Sequence, residues 1–179
     1  TDQIRECLTW TPLLRPDWAC GPDKNLDDVI EVSAVCLFDD SGRVLTVRKR
    51  GTSGWMLVGG KPEPGENARQ CAIREVAEEL GVGLDAARLR DLGTFHSIAV
   101  NEGVPLTAHV FISDERVSPS VHAELAALRW VNPADPGDGQ APLNTDLVFP
   151  LLVSAGECRG AEDRVGPPAT IERRSACHH

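Results

Sequence analysis

The chain has 179 residues, 41% of them apolar and 25% charged, with a formal net charge of −9; this suits one globular domain with tails and a core of real size. The negative balance argues against nonspecific nucleic-acid binding, which depends on Lys and Arg neutralising phosphates. It would also repel a phosphate-rich small molecule unless a cation came between the two.

Residues 1–28, rich in Pro, Trp and Asp, show no period and are expected to form an ordered extension, because Trp10 and Trp18 suit a packed segment better than a floppy one. The run "VIEVSAVCLF" (29–38) is β-branched and apolar, "DDSG" is a turn, and "RVLTVRKR" (43–50) alternates, with Leu45 and Val47 on one face and Thr46 and Arg48 on the other. Together they predict a hairpin. "GTSG" is a loop and "WMLV" (55–58) a short buried strand. Beyond residue 82, "ARLRDLGTFHSIAV" and "PLTAHVFIS" read as two strands around the turn "NEG", and a further strand is expected near Leu128 to Val131. "LNTDLVFPLLVSAG" reads as a C-terminal helix that Pro150 limits or kinks. From Gly156 onward the chain is polar, aperiodic and marked by Gly and Pro, so residues 156–179 are expected to be a disordered tail.

The six cysteines (Cys7, Cys20, Cys36, Cys71, Cys158, Cys177) have no ligand-like spacing. Their density does not suit a disulfide framework, which points to a reducing compartment, with Cys36 and Cys71 packing as small hydrophobes. The chain opens without a cationic-then-apolar pattern, and no apolar run approaches the length of a membrane span. A cytoplasmic protein without a membrane partner is the expectation.

The most informative stretch is "GGKPEPGENARQCAIREVAEELGV" (59–82). Its glycines and prolines predict a tightly turned loop. Asn67 is a good N-cap, Gln70 completes a capping-box pattern, and Gly81 is the expected stop of a helix ending near Leu80. Ala68, Cys71, Ala72, Val76 and Leu80 form its apolar stripe. Glu75, Glu78 and Glu79, at i, i+3 and i+4, project from one surface. Like charges at that spacing destabilise an isolated helix by about 0.2–0.5 kcal/mol per pair, and Arg74 offsets only part of this. A carboxylate cluster on a rigid helix suits a hard divalent cation. "REVAEEL" by itself favours a solvated face; the loop, glycines and carboxylates in combination favour a site.

Gly60, Glu66 and the run Arg74-Glu75-Val76-Ala77-Glu78-Glu79-Leu80-Gly81-Val82 match, at every specified position, the signature G-x5-E-x7-R-E-U-x-E-E-x-G-U, with U aliphatic. In this the chain resembles the Nudix hydrolases, and the flanking strand pattern fits that family over residues 29–155. The resemblance implies an α/β Nudix fold, a mixed β-sheet sandwiched between α-helices. It implies a hydrolase that uses Mg²⁺, with Mn²⁺ as a substitute, to cleave a diphosphate bond in a nucleoside diphosphate derivative. Carried over by position, Glu75, Glu78, Glu79 and the Gly59 carbonyl are the metal ligands, Glu66 supports the metal shell, and Arg74 orients a glutamate, Glu75 first. The general base is either Glu75 on the helix or Glu124 in "VHAELAALRWV". His122 beside it reads as a surface residue. Arg48, Lys49 and Arg50, with Lys61 in the loop, are the candidates for gripping substrate phosphates, although a solvated strand end explains the first three nearly as well. Trp55 either stacks on a base or, as the better reading, packs under the helix. Val58 stands where many relatives have proline.

Marks that identify Nudix subgroups are absent. Ile98 and its neighbours occupy the region where the ADP-ribose type has a proline, no tyrosine occurs anywhere, and no "SQPWPFP"-like string is present. Elimination leaves a nucleoside triphosphate pyrophosphohydrolase, yielding monophosphate and pyrophosphate, with an ADP-ribose or nucleotide-sugar pyrophosphatase as the alternative. A non-hydrolytic nucleotide sensor would need a partner domain for which the chain has no segment of suitable charge. Isopentenyl diphosphate isomerase shares the fold but departs from the strict signature. The expected partner is a small nucleotide; the oligomeric state is left open by the residues, with a homodimer the assembly that the family resemblance suggests.

Overall fold

A computed structural model describes residues 29–157. The expectations for the amino-terminal extension, for the tail beyond Glu157 and for Cys7, Cys20, Cys158 and Cys177 lie outside them.

Strand β1 (Ile30–Cys36) is the axis of the fold. It is apolar on both sides, as a central strand must be. It runs parallel to β5 (Pro105–Ser113) and antiparallel to β3 (Val58–Gly60), while β4 (Leu89–Ile98) closes the far edge, giving a mixed sheet in the order β3-β1-β5-β4. One face of this sheet turns Val35, Leu37 and Phe111 towards helix α1 (Ala68–Leu80), which answers with Ala72, Val76 and Leu80. The opposite face presents Ala34, Cys36, Val110 and Ile112 to α2 (Phe149–Ala155), whose Phe149 and Leu152 are buried. Burying one such side chain contributes about 1.5–3 kcal/mol, so the two cores hold the sheet between the helices from both sides. This is the α/β sandwich expected from the residues.

The predicted hairpin forms only at its turn. The Asp39 side chain accepts from the N–H groups of Ser41 and Arg43, and Gly42 takes φ 73°. Beyond the Phe38–Val44 bridge, however, β2 (Val44–Lys49) leaves β1 and pairs antiparallel with β6 (Leu125–Val131) as a separate two-stranded sheet. The flanks of β1 are already taken by β3 and β5. The first four residues of β2, Thr46 included, are all buried, so the expected in-out alternation holds only for which core Leu45 and Val47 enter. β6 begins at Leu125, three residues before the predicted Leu128.

The strand expected at "WMLV" lies later. Trp55 and Met56 make isolated bridges to Gln140 and Val47, and the ladder itself is Val58–Gly60. Gly59, at φ 152°, explains the shift, because a Cβ there would stand 2.1 Å from the Ser33 carbonyl oxygen. Only a bare backbone can approach β1 so closely. The C-terminal segment opens as a π-helical turn (Leu143–Val148) that runs into α2, and Pro150 falls in its first turn, where a missing N–H costs least.

Candidate active site: a carboxylate cleft beside helix α1

The loop before α1 and the helix itself follow the local rules read from the residues. Asn67 caps α1 by accepting from the Gln70 N–H at 2.9 Å, while the Gln70 side chain accepts from the Asn67 N–H at 3.0 Å. Gly81, at φ 69°, ends the helix. With both ends fixed, the carboxylates are set at the edge of a cleft of about 560 Å³ between the two sheets. Lys49, Lys61, Arg74, Glu75 and Glu124 stand at its polar end, and Val32, Met56, Leu57, Leu106 and Leu143 line its apolar part.

Arg74 organises the polar end. Its Nε and Nη2 donate to the two Glu66 oxygens at 2.7 and 2.9 Å, its Nη1 donates to Glu75 at 2.9 Å and to Glu78 at 3.0 Å, and Nη2 also reaches the Lys61 carbonyl at 3.1 Å. The bidentate grip on Glu66, then Glu75, raises the Arg74 pKa further above its already high value. Reciprocally, Arg74, and then the Glu63 N–H, hold the Glu66 carboxyl below the usual carboxylate range. One guanidinium thereby ties the loop to the helix and sets the Glu75 rotamer. The Glu75 carboxylate occupies the space where a Cβ on Gly60 would lie, at 2.4 Å.

Glu79 is the outlier. It is 2% exposed, and its polar neighbours, the Lys49 ammonium and the Gly59 N–H, approach it without the alignment of full hydrogen bonds. Lys49 Nζ lies 3.2 Å from Oε1, near enough for charge attraction, and the same ammonium pairs with Glu124. Burial pushes the Glu79 carboxyl up, with Lys49 opposing. For Lys49, burial works to lower the pKa, but Glu124 and Glu79 outweigh it and the net shift is upward.

These observations test the donor set against a divalent cation. Hard carboxylate oxygens, one of them buried without a full complement of partners, suit Mg²⁺ or Mn²⁺. As the side chains stand, no three acidic, His or Cys groups among the described residues converge on one point. Lys49 stands against Glu79 and Glu124, and Arg74 against Glu66, Glu75 and Glu78. The donor set itself fits a hard divalent cation.

The remaining candidates divide. Glu78 is the most exposed of the helix trio, at 53% for its side chain, and of the three only Glu75 lines the cleft. Gly59 lines it, as does Lys61. Arg48 does not line the cleft; its guanidinium stacks over Trp55 at 5.1 Å. Trp55 itself is not under α1; Arg48 and Arg129 cover its ring, the latter at 4.3 Å. Arg50 borders the cleft but points its donors at the 123–125 backbone. His122 is exposed and bonds the Ser120 hydroxyl at 2.7 Å.

Two features had no signal in the sequence. One is Lys49 as the counter-ion shared by Glu79 and Glu124, which needs β2 and β6 to be neighbours. The other is Asn144, fully buried beside the cleft residue Leu143, with Nδ2 bonded to Gln140 and Trp55 and Oδ1 without a partner among the described residues.

Comparison with known proteins agrees with this architecture. A family model described as the NUDIX domain matches residues 28–150. An isopentenyl-diphosphate Delta-isomerase of Nocardia farcinica is 37% identical over 113 residues, covering 57% of this chain and 63% of its own length. A putative 8-oxo-dGTP diphosphatase of Bacillus subtilis is 28% identical over 109 residues, covering 61% and 67%. The solution structure of the E. coli ORF135 protein superposes with a TM-score of 0.57 at 27% identity, over 71% of this chain and 92% of that one. Among the described residues no helix is long and apolar enough to cross a membrane.

Proposed function

The chain belongs to the Nudix family of pyrophosphohydrolases, and on that premise we propose that residues 29–155 form a Mg²⁺-dependent hydrolase of nucleoside triphosphates. Water attacks a phosphorus of the α–β anhydride, that P–O–P bond breaks, and monophosphate and pyrophosphate leave. The observation that carries the reading is Glu79, a carboxylate buried to 2% exposure against the cleft residues Lys49 and Gly59, with the Lys49 ammonium 3.2 Å from Oε1. Burying a charge is costly unless it is compensated, and an acidic chain is a poor host for a polyphosphate without added cations.

Glu75, Glu79, Glu78 and the Gly59 carbonyl are the residues that would hold the ion, with Glu66 supporting them. A bound divalent cation neutralises phosphate oxygens and lowers the pKa of water. The protein's own residues account for the rest. Arg74 holds Glu75 in one rotamer against the loop. Glu75 or Glu124 accepts the proton of the attacking water at a carboxylate oxygen. Lys49 and Lys61, at the cleft mouth, supply positive charge to the phosphates. The apolar walls exclude bulk water from the far end, where the nucleoside fits.

The substrate class is favoured by the relative named as an 8-oxo-dGTP diphosphatase. ADP-ribose and nucleotide sugars are the competing substrates, and the similarity to an isomerase makes an alkyl diphosphate a necessary control. A cytoplasmic location and a homodimer belong to the same reading. The test is a panel of nucleoside triphosphates, ADP-ribose, nucleotide sugars and isopentenyl diphosphate with Mg²⁺, products identified by mass. Pyrophosphate released from a triphosphate is the expected result. Rearrangement of the alkyl diphosphate without hydrolysis of any nucleotide would overturn it.

A further inference from the structure

We propose that Arg50 is a positioning residue that fixes where the Glu124 carboxylate points, rather than a grip for substrate phosphate. The inference rests on reading Glu124 as a carboxylate of the reacting site. Arg50 makes three hydrogen bonds to three successive carbonyls. Its backbone N–H donates to Glu124 at 2.9 Å, its Nη2 to Ala123 at 2.6 Å and its Nε to Leu125 at 3.2 Å. One edge of the guanidinium, Nε with Nη2, is thereby committed to backbone, which removes the side-on bidentate geometry that makes Arg useful on a phosphate.

The clamped segment is one that needs holding. Ala123 sits at φ 48°, the only non-glycine residue with positive φ among those described, and a side chain with a Cβ resists that conformation. Its other end is fixed too. The Ser120 and His122 N–H groups donate to the Leu80 and Glu79 carbonyls at 3.1 and 3.0 Å, using two of the carbonyls that the end of a helix leaves without partners. The 120–125 segment is therefore strung between the last turn of α1, which carries Glu79, and the end of β2, which carries Lys49. A register shift between Arg48 and Lys49, where Ala127 and Leu125 are their successive partners, brings Arg50 against this segment. The outcome is that Glu124 meets Lys49 at the cleft mouth, across from Glu79.

The experiment compares Arg50→Met, Arg50→Lys, Glu124→Gln and the double variant Arg50→Met/Glu124→Gln. Kinetics use Mg²⁺ and the fastest-hydrolysed of the common nucleoside triphosphates. Amide hydrogen exchange over residues 120–126 is read in the intact protein without substrate. Arg50→Met is expected to lower kcat by about 10–100-fold, the usual effect of removing a supporting partner, with KM unchanged. Arg50→Lys, which cannot bridge two carbonyls, does not rescue it. The double variant is no slower than Glu124→Gln alone, because the two changes disable one device. Exchange over 120–126 accelerates in both Arg50 variants. A raised KM at native kcat, additive losses in the double variant, or unchanged exchange would each overturn the proposal. So would a Glu124→Gln enzyme with native kcat, which removes the premise while leaving pyrophosphate hydrolysis itself intact.

Discussion

Replacing Lys49 by Met probes the site's electrostatics most directly, since Met keeps the length of the aliphatic stem and removes only the ammonium. Two contacts disappear. The one to Glu124 involves a carboxylate whose side chain is 62% exposed, and is worth about 0.2–1 kcal/mol, as for other surface pairs. The one to Glu79 is different, because that carboxylate is 2% exposed and the lysine 22%. Removing one partner of a buried pair costs about 3–5 kcal/mol; partial exposure of the lysine places this case near the lower end, about 3 kcal/mol. In a chain of this size that lowers Tm by roughly 6–12 °C. The assay is thermal unfolding in EDTA and again in saturating MgCl₂. In EDTA the variant should melt well below the native protein. In Mg²⁺ the gap should narrow, because the ion supplies the charge that the lysine supplied and no longer has to displace it. A variant that melts with the native protein in EDTA, or a Mg²⁺-induced rise equal in both, would refute the idea that Lys49 stands in for the ion.

Four further outcomes follow from the same geometry. Glu79→Gln should lower Mg²⁺-dependent turnover by on the order of 10²–10³-fold, the scale of losing one preorganised electrostatic contact, while metal binding measured by calorimetry weakens in step. The same variant should alter the pH profile of stability in EDTA. Burial raises the folded-state pKa of Glu79 above its ordinary 4.5, so the folded state binds the extra proton, and stability declines as pH rises from that ordinary value through the folded one; Gln removes this decline, and identical Tm-against-pH curves would contradict it. Arg74→Lys should cost about 10–100-fold in kcat, because a lysine cannot hold Glu66 and Glu75 at once; full activity would show that the Glu75 rotamer needs no such support. Gly59→Ala should prevent β3 from pairing with β1, since its Cβ would stand 2.1 Å from the Ser33 carbonyl oxygen, and soluble expression with a native Tm would refute that packing.

Much of the site was legible because its rules are local. Asn67 and Gln70 bracket a first turn, Gly81 supplies a left-handed stop, and the interval from Gly60 to Val82 is short enough for helix geometry to decide which side chains share a face. The α1 stripe, the ends of β5, and the turn at Asp39 follow from the same local chemistry. The predicted hairpin failed for the opposite reason. Whether β2 pairs with β1 or with β6 depends on which edges of β1 are free, and β5, some seventy residues later, decides that. The place of Arg48 and Trp55 was hidden for the same reason: the guanidinium lies on the indole ring, outside the cleft lining, and tertiary contacts set that placement.

From its residues alone the chain determined a capped helix that carries three carboxylates after a glycine loop, and with it the kind of chemistry to expect. Only the tertiary structure decided which cations answer those carboxylates. Lys49 meets Glu79 and Glu124 because β2, α1 and β6 converge there, and Arg50 turns to backbone because the 120–125 segment passes beside it. Charge and hydrogen bonding act over a few ångströms of space, and sequence separation sets those distances only within a single element.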